Sequence, residues 1–375
     1  MLPMAFVPSS IILTNSPALA IPVDLRKRCV PNLDVSNIIQ FTAGLRPYRH
    51  SGIRIEQEYR FNKTLIHNYG HGGSGITLSL GSAKAAVDLI HGMKKGYPIA
   101  VLGGGIIGLT TAHELSLRGY KVTMYSEKWH PEVTSSIAGG QWTPTLVGLP
   151  SLPEEKRRYE RIIEDSFQKF SNFQGSLFGV SMIDNILTES SMTRQGNQPS
   201  SIQSLYFDKL PFDGTSTSGY LYRSWMIEPH IFLPALMNQL REWGVRFVTK
   251  KFYSDDSDHH SATSVSELEE SILFNCLGLG AKKLLGDESL IPVRGRLIHL
   301  NPDRRIDYTL RHDFYMLPRR DAIVLGGSYD FGKSDLSMDI DQYSNILQNH
   351  RSFFGMSQPT LQPNNQNIAY MPIQY

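Results

Sequence analysis

The 375-residue sequence predicts an α/β protein of α+β character: a Rossmann-like nucleotide-binding part and a mixed or antiparallel β-sheet part. Three observations carry this. The apolar run Ile99–Leu102 leads into G-x-G-x-x-G at Gly103, Gly105 and Gly108. Helical spacing over Ile106–Arg118 and a second β-rich run at Lys121–Tyr125 complete a βαβ unit. Further β-rich runs, at 53–61, 292–300 and 314–327, lie on both sides of that unit.

Each residue of the unit has a mechanical reason. Gly103 permits the tight strand-to-helix turn, Gly105 lets a pyrophosphate approach the backbone, and Gly108 lets the helix pack closely on the strand. Ile106 and Ile107 open the helix, whose free N–H groups and dipole favour an anion. Gly119 is the expected stop, because a positive φ suits glycine best. Glu127 lies about 20 residues beyond the glycines, where a carboxylate accepts from a ribose 2′-OH and repels a 2′-phosphate. The motif alone does not choose between NAD and FAD.

Composition bounds the rest. Hydrophobic residues make up 41% and charged residues 19%, enough to bury a large core. A formal charge of +2 gives no sign of nucleic acid or an anionic membrane as partner. Twelve His show no metal-ligand spacing, and His259-His260 read as solvated, so no metal is expected. Cys29 and Cys276 fit neither a zinc site nor a C-x-x-C motif, and Cys276 in LFNCLGLG reads as a small buried residue. No apolar run of about 20 residues spans a membrane. Residues 1–20 resemble a signal peptide, with apolar Met4–Leu13 before Ala18-Leu19-Ala20, although a basic n-region is missing. Export to the periplasm is therefore expected, with a disordered or packed N-terminal arm and a cytoplasmic location as the alternative.

In chain order, 21–40 is polar and a poor core candidate. Within FTAGLRPYR, Pro47 holds Arg46 extended, which suits a bidentate grip on a carboxylate; a structural ion pair is the competing reading. The stretch 53–61 alternates like a half-exposed strand. LIHNYGHGGSGIT (65–77) is a second glycine-rich strand-to-helix junction, followed by a helix near Ser79–His91, and offers another dipole seat. In so glycine-rich a loop His67 and His71 read as structural hydrogen-bonding residues. GMKKGYP (92–98) reads as a linker. In VTSSIAGGQWTP, Thr134 and Ser135 can donate to phosphate or ribose, and Gly139-Gly140 permits close approach. A charged amphipathic helix is expected at 153–174 and a long loop at 190–219, with Tyr220 and Tyr222 directly after it. Then come a helix at Glu228–Trp243, a strand at Val245–Phe252, a polar excursion at 254–270, and a buried strand at Ile272–Gly280 that ends in glycines. Past about Gln342 a short helix and a fraying Pro/Asn-rich end are expected.

Together IHNYGHGGSGIT, VLGGGIIGLTTA, TSSIAGGQWTP, FNCLGLGA, VRGR and GLRPYR resemble the D-amino-acid oxidase family of FAD-dependent enzymes over most of residues 40–350. The order departs from the family's. There the dinucleotide strand opens the chain and GLRP…HNYGHGG closes it; here those two segments come first. This reads as a circular permutation with GMKKGYP as the joining linker, as in exported bacterial members, and it should leave the chain ends near 25–40 and 355–375. The resemblance implies an FAD-binding domain from 60–180 with 226–290, and a substrate domain from 24–59 with 181–225 and 291–356.

It also implies residue roles. Gly103, Gly105 and Gly108 hold the FAD pyrophosphate, Glu127 the ribose, with Lys128 near the adenine. Thr134, Ser135, Gly140 and Gln141 line the pyrophosphate and flavin, and Gly72, Gly73, Ser74, Gly75, Ile76 and Thr77 meet the flavin N1–C2=O edge. Arg46 becomes the substrate-carboxylate anchor, with Arg294 and Arg296 of VRGR as rivals, and the Gly73 carbonyl receives the substrate amine. The family often has Tyr where Ser74 stands. Its lid tyrosine falls on Ser218 without gaps, with Tyr220 and Tyr222 nearby, and its second pocket tyrosine matches Tyr315. The implied reaction moves a hydride from a D-amino acid to the flavin and then two electrons to oxygen, giving a 2-oxo acid, ammonia and hydrogen peroxide. A flavin oxidase of glycine or N-methyl amino acids, a quinone-reducing enzyme, or a catalytically inactive flavin-binding protein are the alternatives. A homo-oligomer stays open.

Overall fold

A computed structural model describes residues 26–192, 198–213, 215–252, 265–357, 361 and 368–373. Residues 1–20, with their export expectation, and His259-His260 lie outside them. Among the described residues no helix is long and apolar enough to cross a membrane.

Two sheets form the frame. The smaller runs in the order Arg54–Arg60, Lys63–Tyr69, Ile272–Asn275, Pro98–Leu102, Lys121–Ser126, Arg246–Thr249. All its pairs are parallel except the first, a hairpin. The βαβ unit follows the expected spacing: Pro98–Leu102, helix Ile106–Leu117, Lys121–Ser126, with Gly119 at φ +82 after the helix. Leu102, Val101 and Ala100 are buried on both faces, as a central parallel strand requires. Helices Gly75–Val87 and Ile106–Leu117 pack against the sheet, with helix Pro153–Lys169 on the first and helix Pro229–Glu242 on the second, and they share a core with Leu78, Leu109, Ile162 and Leu236.

The larger sheet runs Ala369–Ile373, Ile38–Arg49, Leu290–Leu300, Ile323–Gly326, Tyr315–Pro318, Tyr308–Arg311, Val180–Thr188, Gly219–Ile227, Ser204–Phe207; the short Asp330–Phe331 strand also pairs with Leu290–Leu300. Helix Ile340–Phe353 covers one face, packing Tyr343, Ile346 and Leu347 against Phe41, Ile298 and Leu300. The border between the sheets runs through the turn at 50–53, so Ile38–Arg49 and Arg54–Arg60 belong to different sheets.

Several expectations change. The described part of the segment expected to be a poor core candidate, 26–40, does enter the core: Leu33 is buried, and the buried Arg28 guanidinium binds Asp184 and, at 2.9 Å, Asp307. The helix after the glycine loop starts at Gly75 rather than Ser79, because a 3-10 turn at Gly72–Ser74 already winds the chain. The expected loop 190–219 holds strand Ser204–Phe207, paired with Gly219–Ile227. The run 314–327 is a hairpin of two strands. The end expected to fray supplies Ala369–Ile373, parallel to Gln40–Gly44, and the helix before it has 14 residues. Such edge pairing is decided by a partner more than 300 residues away in sequence and leaves little local signal.

Candidate active site

The two sheets meet at a cleft of about 610 Å³. Two helix N-termini open onto it: Gly103, Gly105, Ile106 and Ile107 from one, and Gly72, Gly73, Gly75, Ile76 and Thr77 from the other. Glu127 and Lys128 line one part; Thr134, Ser135, Gly140 and Gln141 another; Arg46 and Tyr315, from the larger sheet, a third.

The glycines are built in. Gly103 has φ +118, and a Cβ there would stand 2.5 Å from the Cys276 carbonyl oxygen. A Cβ on Gly108 would stand 1.9 Å from the Gly103 carbonyl oxygen, so Gly108 packs helix on strand and does not line the cleft. At Gly105 the nearest neighbour of an added Cβ is Ser135 Oγ at 3.3 Å, and that oxygen accepts from the Ile106 N–H at 3.0 Å. At Gly75 nothing stands closer than Ile106 Cγ2 at 3.8 Å. Backbone without side chains at two helix N-termini suits the approach of an anionic dinucleotide, and the residues present therefore fit FAD. Glu127 carries an ion pair with Lys251 Nζ at 2.6 Å.

Arg46 stands in this cleft because of strand alternation. Gly44 and Arg46 point one way from Ile38–Arg49, and their partner strand points Gly295 and Leu297 the same way. Arg294 and Arg296 therefore point to the opposite face. There Arg294 binds Asp330 and Asp335, and Arg296 binds Asp330 at 3.0 Å and Gln342 at 2.8 Å. They are structural ion-pair residues, which removes them as rivals to Arg46. Arg46 has no carboxylate partner among the described residues; its Nη1 donates to the Ser328 carbonyl at 3.1 Å. Two glycines not singled out from the sequence make the room. A Cβ on Gly295 would stand 2.2 to 2.3 Å from the Arg46 guanidinium, and one on Gly326 would stand 2.6 Å from Tyr315 Cζ. Their signal was present in VRGR and LGG, but only the register shows what they lie against. Burial pushes the Tyr315 phenol up in pKa, and the neighbouring Arg46 opposes this.

Four expected site residues lie elsewhere or turn away. Tyr222 is buried with its hydroxyl 3.1 Å from Thr143 Oγ1. Tyr220 packs against Tyr206 and sits three strands from Tyr315, about 14 Å at ordinary strand spacing. Ser218 donates to Glu189. Ser74 is buried, its Oγ exchanging hydrogen bonds with the Thr145 backbone. Gln141 lines the cleft but donates its amide to Asn185 and Thr309. His67 and His71 are structural as expected: His67 bridges Glu58 and Asn275, and His71 binds Ser82, with burial pushing its pKa down to about 3. Cys276 is buried and free, its thiol pushed up to about 12 by burial.

Known proteins agree with this architecture. The family model described as FAD dependent oxidoreductase matches residues 98–370. A D-amino-acid oxidase of Streptomyces coelicolor is 26% identical over 238 residues, covering 61% of this chain and 69% of its own length. A D-aspartate oxidase of Homo sapiens is 24% identical over 261 residues, covering 66% of this chain and 73% of its own. Among solved structures, iminodiacetate oxidase from Chelativorans sp. BNC1 superposes with a TM-score of 0.50 at 14% identity, over 68% of this chain and 79% of that one. The glycine-built cleft and the match over most of the chain lead to one conclusion: the protein belongs to the DAO family of FAD-dependent oxidoreductases and is related to amino-acid oxidases.

Proposed function

We propose that the protein oxidises D-amino acids, consuming oxygen and water and releasing a 2-oxo acid, ammonia and hydrogen peroxide. The observation that carries this is Arg46, a half-buried guanidinium in the cleft without a carboxylate partner among the described residues. A substrate carboxylate supplies the missing charge. The similarity to a D-amino-acid oxidase and a D-aspartate oxidase supports the substrate class.

FAD, when bound, supplies the two-electron acceptor for the substrate Cα–H. The chain supplies alignment. Gly103, Gly105, Ile106, Ile107 and Ser135 would hold the pyrophosphate, Glu127 the ribose, and Gly72, Gly73, Gly75, Ile76 and Thr77 would offer a helix N-terminus to the flavin. Arg46 fixes the substrate carboxylate and the Gly73 carbonyl receives the amine, so the Cα–H is oriented without a protein base. Tyr315, a neutral phenol beside Arg46, bounds the pocket. A circular permutation is part of this reading. It is supported by the nearness of the two ends of the described chain: Arg351 donates to the Leu33 carbonyl at 3.0 Å, and Ala369–Ile373 pairs with Gln40–Gly44.

The test is anaerobic absorbance of the flavin-loaded protein during titration with D-alanine, L-alanine, glycine and sarcosine. Bleaching by D-alanine alone is expected. Bleaching only by glycine or sarcosine, or no bleaching by any amine, overturns the assignment. Arg46→Ala should lower kcat/KM by a few kcal/mol equivalent, about 2 to 5, as for losing one partner of a desolvated charge pair.

A further inference from the structure

We propose that Tyr329 is a positioning residue for Arg46, an inference that rests on the anchor role given above. The Arg46 guanidinium carbon lies over the Tyr329 ring, 5.1 Å from its centroid. Tyr329 also lies close enough to Tyr315 to oppose ionisation of its phenol. Arg46 is thus framed by Gly295 beneath it, the Ser328 carbonyl, and two tyrosines.

The position of Tyr329 is not accidental. Gly327, at φ +137, turns the chain out of strand Ile323–Gly326. The residues on both sides of Tyr329 are then tied down. Ser328 accepts from the Arg296 backbone N–H through Oγ at 2.7 Å and from Arg46 through its carbonyl. Asp330 accepts from Arg294 at 2.9 Å and Arg296 at 3.0 Å. The two arginines on the far face of the sheet therefore clamp the segment that carries Tyr329, and Tyr329 stacks on the arginine of the cleft face.

Stacking does two things. It removes rotational freedom from a long side chain before substrate arrives, and it covers the guanidinium with a π face in place of water. Tyr329 is 36% exposed, so part of its ring meets solvent while it lies against Arg46. Losing the ring should weaken carboxylate binding more than it slows the chemical step, since the ring touches the anchor and not the reacting carbon.

The experiment uses the flavin-loaded protein. Acetate, an unreactive carboxylate, is titrated while the flavin absorbance is followed, and KM and kcat for D-alanine are measured alongside. Tyr329→Ala should raise the acetate Kd and the D-alanine KM about tenfold, with kcat changed less than about threefold, the scale of a partly desolvated cation–π contact. Tyr329→Phe should restore wild-type values, because the ring and not the hydroxyl is required. Wild-type acetate affinity in Tyr329→Ala, when Arg46→Ala has lost it, overturns the proposal and leaves the anchor standing. Wild-type acetate affinity in Arg46→Ala overturns both. Equal losses in Tyr329→Phe and Tyr329→Ala also overturn the stacking role.

Discussion

Gly295→Ala isolates the anchor geometry without removing the anchor. The new methyl group would stand 2.2 to 2.3 Å from Cζ and both Nη atoms of Arg46, whereas ordinary contacts begin near 3.4 Å. The guanidinium must therefore move by about 1 Å, the kind of misplacement that can cost about a hundredfold in rate. The backbone has no reason to break. Gly295 faces Gly44 in the middle of a regular antiparallel pair, and Ala fits a strand interior better than Gly. The expected result is a fall in kcat/KM for D-alanine of about tenfold to a hundredfold, with a melting temperature within a few degrees of wild type. Steady-state kinetics and a melting curve of the flavin-loaded protein read both numbers. Wild-type kcat/KM in a folded Gly295→Ala protein would refute the placement of Arg46 as the anchor.

Other outcomes test other parts of the structure. Gly103→Ala forces a side chain onto φ +118 and 2.5 Å from the Cys276 carbonyl, so FAD affinity should fall by at least an order of magnitude, measured by flavin fluorescence. Arg28→Ala takes a buried guanidinium from Asp184 and Asp307, which keep Arg223 and Arg26 as partners, and should cost about 1 to 2 kcal/mol in a urea melt; an unchanged midpoint would return 26–40 to a poor core candidate. Acid should destabilise the fold through its buried imidazoles. Burial holds His113, His299 and His312 down at about 4, so the unfolded chain, titrating near 6.5, takes up these protons first. Their contribution is complete above about pH 6.5 and is lost as pH falls toward 4, on the order of 2 kcal/mol each at pH 5. Urea midpoints at pH 7.5 and pH 5 measure it, and equal midpoints would contradict the burial of these rings.

The sequence by itself determined the local, spacing-dependent parts. The βαβ unit, the three dinucleotide glycines and Glu127 follow from short-range rules that hold wherever a strand, a tight turn and a helix meet. Arg46 could be named beside Pro47 but not assigned, because a guanidinium that grips a substrate and one that grips an aspartate have the same local sequence. VRGR shows the difficulty best: its two arginines looked like rivals to Arg46, and its glycine was not singled out. Only the register of Ile38–Arg49 against Leu290–Leu300 turned the arginines away from the cleft and set the glycine beneath Arg46. Tyr220 and Tyr222 fall outside the cleft for the same reason: nearness in sequence to the expected lid does not fix the place in the sheet, where Tyr220 lies three strands from Tyr315. Strand pairing joins residues hundreds apart, and a shift of one residue exchanges the two faces of a strand, so tertiary pairing decided which side chains share the cleft.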